Sequence, residues 1–227
     1  MISLLISSCI FLGPSIKGNG NVVDDVRKTK EFNKIEISRG MNVYISKGEI
    51  TKIVVKADEN LLDAIETKIV DDVLKITATE NIRSATSKKV FVTTPHLEKI
   101  KASSGSNVYS ETVLFFRNLE LSGSAGSNQK LEINSEAVEV STSSGSNIDL
   151  TGKANSFKGK ASSGSNIKAS DLTAENCDAK ASSGANIWIT AKKDFSGDVS
   201  SGANIFLYGN PGTTNIEKSS GGNVINK

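Results

Sequence analysis

Over most of the chain, apolar and polar residues alternate one for one, the period of a β-strand with one face buried. In the first part the alternating apolar pairs are Ile35/Ile37, Val43/Ile45, Ile53/Val55, Leu74/Ile76 and Val90/Val92. They predict strands over Phe32–Ser38, Met41–Ser46, Lys52–Ala57, Val73–Thr79 and Lys89–Thr94, with a short helix or turn over Asn60–Lys68.

From Leu97 onwards a recurring phrase, Ser-Ser-Gly-Ser/Ala-Asn-Val/Ile, punctuates the alternation. It stands at Ser103–Val108, Ser143–Ile148, Ser162–Ile167, Ser182–Ile187 and Ser200–Ile205, with looser copies at Ser124–Gln129 and Ser219–Val224. Its glycines, Gly105, Gly126, Gly145, Gly164, Gly184, Gly202 and Gly221, are 21, 19, 19, 20, 18 and 19 residues apart. A near-constant period of this size is the signature of a solenoid. Counted from each glycine, the columns at −7 (Leu119, Val138, Phe157, Cys177, Phe195), −5, −3 and +3 (Val108, Ile148, Ile167, Ile187, Ile205) are apolar or small. The columns between them are polar, so each coil should hold at least two short strands with a buried and an open side.

The predicted fold is all-β: a parallel right-handed β-helix of about 19–20 residues per coil, preceded by irregular N-terminal strands. The expected divisions are 1–17 (signal and linker), 18–96 (irregular β region) and 97–227 (repeat solenoid). Gly20-Asn21-Val22 and Gly40-Met41-Asn42-Val43 read as degenerate copies of the phrase, so residues 18–96 read as atypical coils that close one end of the stack. The structural corner residues are Gly105, Asn107, Gly145, Asn147, Gly164, Asn166, Gly184, Asn186, Gly202 and Asn204. Gly and Asn suit a corner because both tolerate positive φ. Asn and Ser side chains can also bond their copies one coil away.

Charge and composition narrow the function. Lys plus Arg total 27 and Asp plus Glu total 25, so the basic excess of a nucleic-acid surface is missing. Leu4-Leu5-Ile6-Ser7-Ser8-Cys9 resembles a bacterial lipoprotein signal with Cys9 as the lipidated residue, although no basic residue precedes it. Cys177 falls between Phe157 and Phe195 in an inward column and reads as a buried small hydrophobe. The single histidine, His96, follows Pro95 and reads as an exposed loop residue. No catalytic residues, metal site or cofactor are expected from this inventory. Asp149, Asp171, Asp178 and Asp198, with Lys160, Lys168 and Lys180, are the groups a polysaccharide-active enzyme would need. The ladder Lys160–Lys180–Asp198–Glu217 reads more simply as complementary surface charge.

One outward column breaks the polar rule. Four residues after the glycines lie Tyr109, Asp149, Lys168, Trp188, Phe206 and Ile225. Trp188, Phe206 and Ile225 should adjoin on neighbouring coils, and with Tyr109 they form the candidate interaction strip. Exposed apolar strips mark interaction sites, and aromatic faces suit sugar rings. A C-terminal loop or a dimer partner covering the strip is the competing expectation.

The alternating strands after Phe32-Asn33-Lys34-Ile35, the Gly40-Met41-Asn42-Val43 element and the serial Ser-Ser-Gly-Ser/Ala-Asn-Ile phrases resemble the head GIN domain family of bacterial envelope proteins, which carry an autotransporter-adhesin label. The resemblance runs from Gly20 to Lys227 and implies a β-helical, exported protein without catalytic residues to carry over. The resulting expectation is a non-catalytic, adhesin-like envelope module, lipid-anchored and periplasmic or surface-exposed. Its partner would be an envelope protein or a glycan, and it would touch the membrane only through the lipid. The alternatives are a self-associating structural protein, a homo-oligomer, and a polysaccharide-active enzyme.

Overall fold

The computed structural model describes residues 15–227, and Cys9, the lipidation candidate, lies outside them. The N-terminal region holds β1 (Ser15–Lys17), β2 (Val22–Arg27), β3 (Lys34–Ile37), β4 (Asn42–Lys47), β5 (Lys52–Asp58), β6 (Ile65–Val70), β7 (Val73–Ala78), β8 (Asn81–Ser84) and β9 (Lys88–Thr94). The five predicted strands are β3, β4, β5, β7 and β9. The stretch Asn60–Lys68 is split between a 3-10 turn at Glu59–Leu61 and the start of β6.

The repeat region holds β10 (Lys99–Ala102), β11 (Asn107–Ser110), β12 (Leu114–Gly123), β13 (Asn128–Thr142), β14 (Asn147–Ala161), β15 (Asn166–Ala181), β16 (Asn186–Val199), β17 (Asn204–Tyr208), β18 (Thr213–Lys218) and β19 (Asn223–Asn226). In β13 to β16 a coil is one long strand bent around the core, not two short ones, and only the corner interrupts it. Each coil pairs parallel with the next and in register, as in Asn147↔Asn166↔Asn186↔Asn204. The fold is therefore a parallel β-solenoid. The columns predicted inward line one continuous core from Phe32 to Leu207. Ile216, also predicted inward, is 37% exposed because β18 is the outermost strand at its end of the stack.

The opposite end is built differently. The β3–β4 coil lies between the β10–β11 coil and the β7–β9 coil, so spatial order departs from chain order there. Beyond β7 and β9 the pairing turns antiparallel: β6 on β7, β5 on β9 and β2 on β5. Gly20-Asn21-Val22 is consequently not a coil copy, since Val22 opens an antiparallel edge strand. Gly40-Met41-Asn42-Val43 is one: Arg39 and Gly40 have φ of 55° and 68°, and Asn42 stacks on Asn107.

The corner geometry corrects one expectation. Positive φ falls on the glycine and on the residue before it, as at Ser144 (51°) and Gly145 (70°), and not on the asparagine. Two successive positive-φ residues, closed by the Ser146 N–H donating to the Ser143 carbonyl (3.2 Å), make a type I′ turn. The Asn is the first strand residue after that turn. Its side-chain amide donates to the Asn one coil back, from Asn204 through Asn186, Asn166, Asn147, Asn128 and Asn107 to Asn42, at 2.8–3.1 Å.

Candidate interaction face

The site grows out of the corner. Since the strand leaves the turn with its +3 residue buried, period two turns the +4 residue outward. Parallel in-register stacking then lines up every +4 residue. The antiparallel cap strands continue the line, which runs Val26, Val54, Phe91, Tyr44, Tyr109, Lys130, Asp149, Lys168, Trp188, Phe206, Ile225, one residue per strand. At about 4.8 Å per strand it is about 48 Å long. Its ends are open, with Val26 64% and Ile225 36% exposed, and the rings between are half-buried.

Trp188, Phe206 and Ile225 adjoin as the sequence suggests. Tyr109 does not join them: Lys130, Asp149 and Lys168 intervene, and Tyr109 stacks on Tyr44 at 5.2 Å instead. The row thus has two apolar stretches separated by a charged one. The first was missed in part. Counting four on from Gly40 gives Tyr44, a signal present in the sequence. Phe91 and Val54 enter the row only because β9 and β5 stack outside β4.

The rings face each other. Trp188 and Phe206 have centroids 5.0 Å apart and planes 9° apart, and Tyr44 and Phe91 are 5.0 Å and 20° apart. Stacking at the strand spacing covers ring faces with ring faces and leaves edges toward solvent. Lysines sit over the rings as well, Lys89 Nζ 5.5 Å from the Tyr44 centroid and Lys227 Nζ 5.8 Å from that of Phe206. The asparagine ladder flanks the row along the corner side.

The other candidate groups are elsewhere. His96 Nε2 is 3.1 Å from Glu98 Oε1 at the mouth of an open groove of about 640 Å³, with Arg117, Glu120, Glu139 and Lys158 on its walls. Those walls pair among themselves and with neighbours: Lys99–Glu120 at 2.6 Å, Arg117–Glu136 at 2.9 Å and Lys158–Glu139 at 3.3 Å. In the ladder Lys160–Lys180–Asp198–Glu217, Lys180 lies 3.7 Å from Asp198. Cys177 is buried, and burial pushes its thiol pKa up to about 12. Among the described residues, no three His, Cys, Asp or Glu side chains are grouped to hold a metal ion.

No curated protein matches the chain. Solved structures do. A "putative adhesin" from Bacteroides fragilis has a TM-score of 0.86 at 20% identity, covering 93% of this chain and 100% of its own. A "putative adhesin" from Parabacteroides merdae has 0.74 at 18%, covering 95% and 100%. A "putative lipid binding protein" from Parabacteroides distasonis has 0.73 at 18%, covering 93% and 100%. At these identities the likeness establishes the fold. The model of the family described as "putative auto-transporter adhesin, head GIN domain" matches residues 31–211, and the chain belongs to that family.

Proposed function

We propose that the protein is a non-catalytic, adhesin-like module of the bacterial envelope, exported and held to a membrane by lipid on Cys9. It binds through the face that carries the Val26–Ile225 row. The observation behind this reading is that row: large apolar residues on the open side of successive strands, where the repeat otherwise places polar ones. Family membership supports adhesion as the class of function. The stacked rings favour a flat protein surface over a sugar.

The test replaces Tyr44, Phe91, Trp188 and Phe206 with serine together and measures binding to envelope preparations and to a glycan array. Circular dichroism verifies the fold. Envelope binding should fall at least tenfold, with little glycan signal in either chain. Unchanged envelope binding by a folded variant discards the face as the contact surface.

A further inference from the structure

We infer that the partner of this face is a second copy of the same chain, with the two rods lying antiparallel. This deepens the reading above and rests on its choice of face. The warrant is the order of residues along the row. Place a two-fold axis along the strand direction, midway between β13, which carries Lys130, and β14, which carries Asp149. Each copy's Lys130 then meets Asp149 of the other, so two opposite-charge pairs form at the centre. Lys168 meets Tyr109, a cation over or beside an aromatic ring. Trp188 meets Tyr44, Phe206 meets Phe91, and Ile225 meets Val54. Every contact in the row is opposite-charge, cation–aromatic or apolar, as a self-complementary isologous patch requires.

Other arrangements of the same face lose this match. An axis along the row sets each residue on its own copy, Lys130 on Lys130 and Asp149 on Asp149. An axis on the β14 strand sets Asp149 on Asp149 and Lys130 on Lys168. An axis between β14 and β15 pairs Asp149 with Lys168 but leaves Val54 and Phe91 facing nothing as well as Val26, whereas the favoured register leaves only Val26 beyond the partner's row. In the favoured register the asparagine ladders lie opposite each other, and amides can donate or accept at any position. Like charges stand directly opposite only at the outer rim, Lys52 near Lys227 and Glu111 near Asp171, where water and salt screen them. At the centre the Lys130 and Lys168 side chains of opposite copies are diagonal, one strand apart, with Asp149 between them. The overlap is about nine strand steps by three outward rows, about 43 Å by 14 Å, or about 1,200 Å² counted over both copies. That is the lower edge of a specific interface, so the dimer should be reversible.

The test is sedimentation equilibrium on the full chain with Cys9→Ala, which excludes association through lipid. That chain should show a concentration-dependent dimer, weakened by salt. Lys130→Asp and Asp149→Lys should each weaken it at least tenfold, and the double variant Lys130→Asp/Asp149→Lys should restore it to within about threefold. Lys168→Asp should have the smaller effect. These side chains lie on the open face, and an unchanged urea midpoint verifies that each variant folds. Dimerisation lost on Lys168→Asp and rescued by Lys168→Asp/Asp149→Lys would overturn the register. A monomer at all concentrations overturns the inference outright. If the serine variant then still loses envelope binding, the face stands with a different partner. If it loses nothing, the face reading falls too.

Discussion

Asp58 is a carboxylate with no exposed surface, at the end of β5 where the N-terminal segment crosses the cap. The N–H groups of Ser87 (2.9 Å), Gly20 (3.0 Å) and Thr86 (3.3 Å) donate to it. A Cβ on Gly18 would collide with the carboxylate, so the segment passes there only as glycine. Burial alone raises the pKa of the group, but the bonds from Ser87, Gly20 and Thr86 outweigh it and hold the pKa below the ordinary carboxylate range. The folded value therefore lies under the unfolded one of about 3.9. The stabilisation is complete above that unfolded value and disappears as pH falls through the folded one. Asp58→Asn points an amide N–H₂ at N–H donors, and a buried unsatisfied N–H costs about 1–3 kcal/mol. Urea midpoints should show the variant well below wild type at pH 7, with the gap closing as pH falls below 4. A gap of constant size at all pH values would show that the charge of Asp58 contributes nothing.

At the scale of the element, the asparagine ladder matters as much as the turn. All its amides donate in one direction, toward the cap, and aligned hydrogen bonds strengthen one another. Asn147 takes part in two, donating to Asn128 (3.0 Å) and accepting from Asn166 (2.8 Å). At about 0.5–1.5 kcal/mol net per bond, Asn147→Ala should cost about 1–3 kcal/mol in chemical denaturation. Asn223 occupies the same column, yet its amide donates to its own corner at Gly221. Asn223→Ala should cost less than half as much, and equal costs would refute a ladder. The sequence makes much of this arrangement legible. Periodicity finds the inward columns, the strand that leaves each corner and the adjacency of Trp188 and Phe206. It does not find which residue takes positive φ, because Ser and Asn are both tolerated at corners, and the choice depends on the strand's exit angle. It also misses Phe91 and Val54, because the coil that carries Phe91 stacks on the far side of β4. A count along the chain follows sequence order and cannot register that exchange of spatial order.

The whole molecule is a rod with unlike ends. One end is closed by the antiparallel strands β2, β5 and β6; the other exposes β18 along its full length. The described residues begin at the closed end, where β1 pairs with β8 and the Gly18 N–H donates to the Ser84 carbonyl (2.9 Å). Five residues lie between Cys9 and Ser15, and the six steps they make reach at most about 21 Å. Lipid on Cys9 would hold the closed end of the rod close to the membrane. In a fractionated bacterial lysate, Cys9→Ala should move the protein from the membrane pellet to the soluble fraction. The same distribution for both chains would discard the anchor.

The exchange of coil order near the closed end has a further consequence. Residues up to Thr94 supply the whole cap together with the coil on which β10 and β11 stack. From Lys99 on, each coil is laid against one already made by earlier residues, and none has to wait for a later part of the chain. A chain threaded through a membrane N-terminus first arrives in the order in which the rod can be assembled, so the cap is available as the template and the growing edge always faces the chain still to come. Shortening from the far end by whole coils leaves a shorter rod with the same kind of edge, whereas removing the first hundred residues or so takes away the surface on which all the others are laid.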